Sequence, residues 1–385
     1  MNGNRLSVMG LAALVIGSLC IVGGLRAQSN ATPHGGPGTP PQAAGKKAEE
    51  QFKNIQVLKG VPAEQIFPTM QFITASLGVE CDFCHVQGAF EKDDKKNKQT
   101  ARKMMAMMIS INADNFDGNR AVTCNTCHRG NAAPQPTPAV KTEEAMAAPK
   151  KPEGADAKEP AAPAGDQLLD KYVQAAGGAP AIDKVTSRVM KGTIQFGDKS
   201  FPIDVYAKDP DMRISFTHMP EGENVTAFNG NEGWLAMPGG HVRDMHGSDL
   251  DGASIDADMH LATHLKGMFS EMIPHGTEKV GDRETYVTLG RREGKTPIRL
   301  SFDKDTGLLL RLVRYGETAL GRMPTQIDYA DYRDLNGVKV PYRWTLARPG
   351  GRFTIQVTEV KQNVPVDDSK FVHPPAEEPP KGPAK

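Results

Sequence analysis

A Cys-x-x-Cys-His segment occurs twice, as Cys81-Asp82-Phe83-Cys84-His85 and Cys124-Asn125-Thr126-Cys127-His128, with the two cysteine pairs 43 residues apart. Two thiols three residues apart can form thioethers with both vinyl groups of one porphyrin, and the imidazole that follows then faces the iron. The pattern predicts two covalently held haem c groups. One is attached through Cys81 and Cys84 and the other through Cys124 and Cys127, with His85 and His128 as axial iron ligands. A zinc site or a redox dithiol would use the same cysteines, but neither explains a histidine directly after each pair or the matched duplication.

Cysteine usage agrees with this reading. Four of the five cysteines lie in the two motifs, and the fifth, Cys20, lies in an apolar stretch from Val8 to Leu25 that follows Asn4-Arg5. With Ala27-Gln28 as a cleavage site, residues 1–27 read as a secretory signal peptide. Export is what covalent haem attachment requires, so the expected location is periplasmic. A membrane tether through an uncleaved leader is the second reading, and a lipid on Cys20 is disfavoured because Leu19 precedes it where a small residue is usual.

The 385 residues suffice for two or three domains, and 46 basic against 46 acidic residues give no reason to expect a nucleic-acid partner. Composition divides the chain into a Gly/Pro/Ala-rich lead-in (28–48), a compact segment (49–131), a linker (132–164), a larger domain (165–374) and a Pro/Lys-rich tail (375–385). The linker, with Pro134, Pro136, Pro138, Pro149, Pro152, Pro160 and Pro163, has almost nothing to bury.

The compact segment repeats one unit, a helix followed by a turn or loop and then the motif, which predicts a small all-α dihaem module. The first helix is expected to start near Pro62, run through Ile66, Met70, Ile73 and Leu77, and end at Gly78. The second is expected over Lys98–Asn112, with Met104, Met105, Met107 and Met108 inside five residues. A six-coordinate haem needs a ligand opposite its histidine, and a thioether raises the reduction potential. Met70, eleven residues before Cys81 and separated from it by Gly78, is the candidate for the first haem. For the second, Met104 and Met108 are expected to share a helix face from which Met105 and Met107 diverge, and spacing does not choose among them.

These residues resemble the cytochrome c subunit of photosynthetic reaction centres, over about residues 50 to 131. The likeness rests on Thr69-Met70-Gln71-Phe72 with Leu77-Gly78-Val79 before the first motif. It rests also on Arg102-Lys103-Met104, Ile111-Asn112 and Val122-Thr123 before the second, and on Arg129-Gly130 after it. The resemblance implies Met104 as the ligand of the second haem. Photosynthetic members carry four haems and this chain has two motifs, so the likeness is read as a shared dihaem module for electron transfer. Arg102, Lys103 and Arg129 are candidate contacts for haem propionates. The mixed-charge run Glu91–Lys96 reads as a solvated loop rather than a docking patch.

From residue 165 a short helix, Gln167–Ala176, is expected after an Asp166 cap and before Gly177-Gly178. Alternating apolar residues then predict strands at Phe201, Ile203 and Val205, at Met212, Ile214 and Phe216, and at Phe353, Ile355 and Val357. Asn229-Gly230, Asp303–Gly307 and Asn336-Gly337 mark hairpin turns, and one helical stretch is expected near Ala257–Phe269. The expected architecture is α+β, a curved antiparallel sheet forming a half-barrel, and it resembles lipoprotein-carrier domains that shelter an apolar cavity. Of the histidines here (218, 241, 246, 260, 264, 275 and 373), His260 and His264 have a chelating spacing, but without an HExxH acid they read as ordinary packed or surface residues.

The sequence thus points to an exported dihaem electron carrier that serves redox partner proteins and whose β domain binds a partner or an apolar ligand. No catalytic residues are assigned. The alternatives are a dihaem peroxidase-like oxidoreductase, which needs an open iron position, and a lipid- or quinone-binding protein with redox-sensing haems.

Overall fold

The computed structural model describes residues 45–136, 163–238 and 242–375. The expected leader, the lead-in up to residue 44, most of the linker and the tail beyond 375 lie outside the described residues. Among the described residues no helix is long and apolar enough to cross a membrane.

The N-terminal segment is helical, with α1 (Ala48–Gln51), α2 (Ile66–Leu77), α3 (Lys96–Asn115) and α4 (Cys124–His128). The first long helix does not begin at Pro62. A 3₁₀ turn, Ala63–Gln65, comes first and α2 proper starts at Ile66. Pro68 explains the delay, because it has no N–H for the carbonyl of Glu64 and the preceding turn tightens. At its other end α2 stops at Gly78, which is left-handed at φ 64°, as a helix terminus of this kind requires.

The second segment opens with α5 (Gly165–Ala175) and α6 (Ala179–Ile182). Asp166 is not the cap. Ala164 occupies that position and Asp166 sits in the first turn, where its charge favours the helix dipole instead. The strands are β1 (Ser187–Phe196), β2 (Lys199–Lys208), β3 (Met212–Met219), β4 (Gly222–Asn229), β5 (Gly233–Ala236), β6 (Val242–Asp244), β7 (Glu271–Val280), β8 (Arg283–Arg292), β9 (Lys295–Asp303), β10 (Leu309–Glu317), β11 (Arg322–Leu335), β12 (Val338–Arg348) and β13 (Gly351–Gln362). They form one open antiparallel sheet in the order β6-β5-β4-β3-β2-β1-β13-β12-β11-β10-β9-β8-β7. The chain therefore winds outward from β1 to one edge and crosses over α7 (Gly247–Ala257) and α8 (Leu261–Met268). It returns from the opposite edge until β13 pairs with β1. Open twisted sheets beyond roughly ten strands curl, and here the helices pack on one face. Leu168, Leu169, Ile255, Ala262 and Leu265 join strand residues such as Ile203, Leu300 and Leu312 in the main core.

Two expectations change here. The helix expected over Ala257–Phe269 is α8, and a further helix, α7, precedes it unforeseen, because α7 has few apolar residues and two glycines and so hides its period; Gly252 lets it lie against Arg314, whose Nε would be 2.7 Å from an added Cβ. In β3 the apolar set Met212, Ile214 and Phe216 lies away from the main core. It forms a separate cluster with Trp234 and Phe371, and the alternate polar set Arg213, Ser215 and Thr217 lines the interior.

The helical segment does not close its own core. Its cluster of Leu58, Ile66, Phe72, Ile73, Met105 and Met108 also contains Leu320 from the turn between β10 and β11. Leu320 is 2% exposed. Around it the Ala319 N–H donates to Thr69 Oγ1 at 3.3 Å and Arg120 bonds Glu317 and the Thr318 carbonyl. Gly321 lies so close to Phe72 that an added Cβ would come within 2.4 Å of its Cζ.

Candidate haem-binding site

Both motifs fold into a single helical turn. In the second, α4 itself is the motif, and Thr123 and Thr126 bond reciprocally across its N-terminus. In the first, Cys81–Phe83 form a 3₁₀ turn, and the His85 N–H donates to the Cys81 carbonyl at 3.0 Å. A turn of this kind brings positions i, i+3 and i+4 to one side, so each pair of thiols and its histidine share a face. None of the four thiols is in a disulfide, and burial raises those of Cys84 and Cys124 above the ordinary cysteine range.

The histidines have matched partners. His85 Nδ1 lies 3.0 Å from the Phe90 carbonyl, and His128 Nδ1 lies 3.0 Å from the Asn131 carbonyl. A carbonyl only accepts, so each Nδ1 carries the proton and each Nε2 keeps its lone pair for a metal. Exposed apolar residues concentrate in the helical segment that carries the motifs. Phe52, Phe67, Phe83, Phe90, Met104, Met107, Ile109 and Phe116 are all exposed, while the much larger β segment exposes only Met237 and Val372 among the described residues. The donor set, two thiols and an imidazole with its Nε2 lone pair available in each motif, has the chemistry that a haem c needs.

The family of the photosynthetic reaction centre cytochrome C subunit matches residues 24–173. Among curated proteins, a photosynthetic reaction center cytochrome c subunit from Thermochromatium tepidum is 35% identical over 97 residues, 24% of this chain and 24% of that protein. Cytochrome c-554 from Chloroflexus aurantiacus is 39% identical over 88 residues, 21% of this chain and 20% of that protein. The aligned stretch thus spans about a quarter or less of these relatives' length. Among solved structures, a DUF1329 family protein from Desulfovibrio piger is similar over 54% of this chain and 97% of its own, at TM-score 0.38 and 16% identity. A LolA superfamily protein from Nitrosomonas europaea is similar over 55% and 99%, at TM-score 0.36 and 15% identity.

The segment after the second motif packs against the end of α2. The Gly130 N–H donates to the Ser76 carbonyl at 2.9 Å, and a Cβ on Gly78 would meet the Gly130 carbonyl oxygen at 2.1 Å. The motif that ends at His128 therefore abuts the end of the helix that carries Met70. Met70 is half-buried against the shared cluster. On α3, Met105 and Met108 are buried in that cluster and Met104 and Met107 are exposed. Met108 does not share Met104's surroundings, because the buried stripe runs through Lys98, Met105, Met108 and Asn112.

Arg102 has protein partners. It donates to Asp93 at 2.9 Å and to the Asn54 carbonyl at 3.1 Å, and the Arg102 and Asn54 bonds hold the Asp93 carboxyl well below the usual carboxylate range. Arg102 is thus a clamp on the loop after the first motif, and the run Glu91–Lys96, mostly exposed as expected, is also held at its backbone and at Asp93. Arg129 is exposed in a left-handed conformation at φ 51°.

Three residues escaped the sequence reading. Lys98, 8% exposed, donates to the carbonyls of Phe90, Glu91 and Lys92 at 2.9, 3.0 and 2.7 Å, so it fixes the same Phe90 carbonyl that orients His85. Asn112 bonds both the N–H and the carbonyl of Val122, at 2.9 and 2.7 Å, and so anchors the irregular segment that leads into Cys124. Asp258 converges with His260 and His264, their donor atoms within 4.8 Å of one another. These atoms are engaged with the protein, His264 Nδ1 with Asp258 at 2.9 Å and His260 Nε2 with the Val185 carbonyl at 2.8 Å.

Proposed function

We propose that this protein is an exported dihaem c-type cytochrome that transfers electrons between redox partner proteins. Cys81 and Cys84 hold one haem c and Cys124 and Cys127 the other, with His85 and His128 as proximal ligands and Met70 and Met104 as distal ligands. When bound, each haem iron supplies a one-electron couple whose potential follows its axial ligands and burial. The residues provide the rest. Phe90 and Asn131 carbonyls orient the two imidazoles, Lys98 and Arg102 hold the first loop, and the Gly78–Gly130 contact packs the second motif against the end of the helix that carries Met70. The β domain is the ligand- or partner-binding part of the molecule.

The observation that carries this reading is the matched pair of Nδ1–carbonyl bonds, which leaves both motif histidines in the tautomer that ligates iron. Intact mass of the denatured protein, expressed with a haem-attachment system, tests the stoichiometry. Two haem additions are expected, falling to one in the double variants Cys81→Ser/Cys84→Ser and Cys124→Ser/Cys127→Ser. A parent carrying one haem or none would overturn it.

A further inference from the structure

The sheet's inner face, beneath α5, α7 and α8, encloses a cavity of about 470 Å³, inside the roughly 300–1,000 Å³ range of small-molecule sites. Its apolar lining includes Ile194, Phe196, Leu261, Trp344 and Phe353. The same cavity is lined by cations. Arg188 pairs across the sheet with Ala207, and Ala207 with Arg213. Directly opposed residues share a face, so the two arginines stand in one row about 10 Å apart, two strand spacings, with only a methyl group between them. Arg348, at the end of β12, and Arg314 line the cavity from the other half of the sheet.

Counter-charges do not match these cations. Asp256 is taken by Arg314 through two bonds of 2.5 and 2.8 Å, Asp249 is held by Arg243 at 3.4 Å, and Asp258 by His264. Arg188, Arg213 and Arg348 form no ion pair among the described residues, and Arg188 Nε has no hydrogen-bond partner. Burial takes the Arg188 guanidinium down to about 10 and lowers that of Arg213. Charges inside proteins are held paired, because an isolated one costs several kcal/mol. An anion brought by a ligand would supply the partner, and the apolar wall beside it would take a hydrocarbon chain.

We propose that the cavity binds an anionic amphiphile, a long acyl chain ending in a carboxylate or a phosphate, with the head group between Arg188 and Arg213 and the chain along Ile194, Phe196, Trp344 and Phe353. This rests on the reading of the β domain as ligand-binding and is independent of the haem assignment.

Equilibrium dialysis of the haem-loaded full chain against radiolabelled oleate, 1-oleoyl lysophosphatidate and oleyl alcohol, each below its micelle concentration, tests it. At least one of the two anions should bind ten times or more tighter than the alcohol, and the tighter of the two identifies the head group. Arg213→Gln should lower affinity for that anion at least tenfold and leave the alcohol within twofold. Arg188→Gln, at the other end of that row, should do the same if Arg213→Gln fails to fold. Equal binding of anion and alcohol by the unmutated protein would overturn the charge assignment while leaving a ligand-binding domain. Binding of none of the three would overturn both.

Discussion

Leu320 belongs by sequence to the β domain and by packing to the helical segment, so Leu320→Ala should weaken the segment from which it is distant in the chain. Its side chain is 2% exposed among Ile66, Phe72, Met105 and Met108. Truncation loses nearly the whole transfer term and leaves a cavity, which in buried sites costs about 2–5 kcal/mol. A four-residue turn can partly collapse, so the lower half of that range, about 2–3.5 kcal/mol, is expected. Since about 1.4 kcal/mol is a factor of ten, amides of α2 and α3 should exchange with deuterium about thirty to three hundred times faster, while those of β1 and β13 keep their protection. Hydrogen exchange read by mass spectrometry separates these peptides. A change below about 1 kcal/mol in α2 and α3, or an equal acceleration in β1 and β13, would refute the claim that this turn completes the helical core.

Asn112→Ala should leave the Val122 N–H and carbonyl without partners and cost about 2 kcal/mol or more; Soret-monitored urea unfolding should show the loss, and an unchanged midpoint would dismiss the clamp. Gly78→Ala puts a Cβ 2.1 Å from the Gly130 oxygen at a left-handed position, so it should cost more than the roughly 1–2 kcal/mol of the backbone conformation alone, visible as a drop in Tm. Asp303 is 2% exposed. Burial by itself would raise its carboxyl, but the Arg283 and Thr306 bonds outweigh burial and bring it down to about 2, from 3.8. Its folded pKa lies below its unfolded one, so its contribution is complete above about pH 4 and fades as pH falls toward 2. Stability by urea midpoint should therefore drop over that window, and in Asp303→Asn the drop should be shallower and start from a lower value. A parallel pH profile in the variant would contradict this.

The haem motifs, the glycine stop of α2 and the strands at Ile203, Val205 and Ile355 were readable because each is set by local chemistry, thiol spacing, backbone conformation or a period of two. What the sequence hid depends on distant partners. Lys98 and Arg102 look like surface charge until the loop from Phe90 to Asp93 folds over them, and Asn112 looks like a mere marker until Val122 reaches it. The β3 alternation was correct in period but open in direction. Either parity can face the core, and Phe371 from the end of the chain claims the apolar one, leaving Arg213 for the cavity. Leu320 carried no signal at all, since nothing local distinguishes a turn that closes another segment's core from one that meets water.

The near-infrared absorption of the oxidised, haem-loaded protein tests the dihaem His/Met assignment most directly, because methionine sulfur bound to ferric haem gives a weak charge-transfer band there. The account predicts the band in a fully low-spin parent, its loss by about half in Met70→Ala and in Met104→Ala, and its absence in the double variant. A high-spin haem in the unmutated protein, or a band that survives both substitutions, would contradict it.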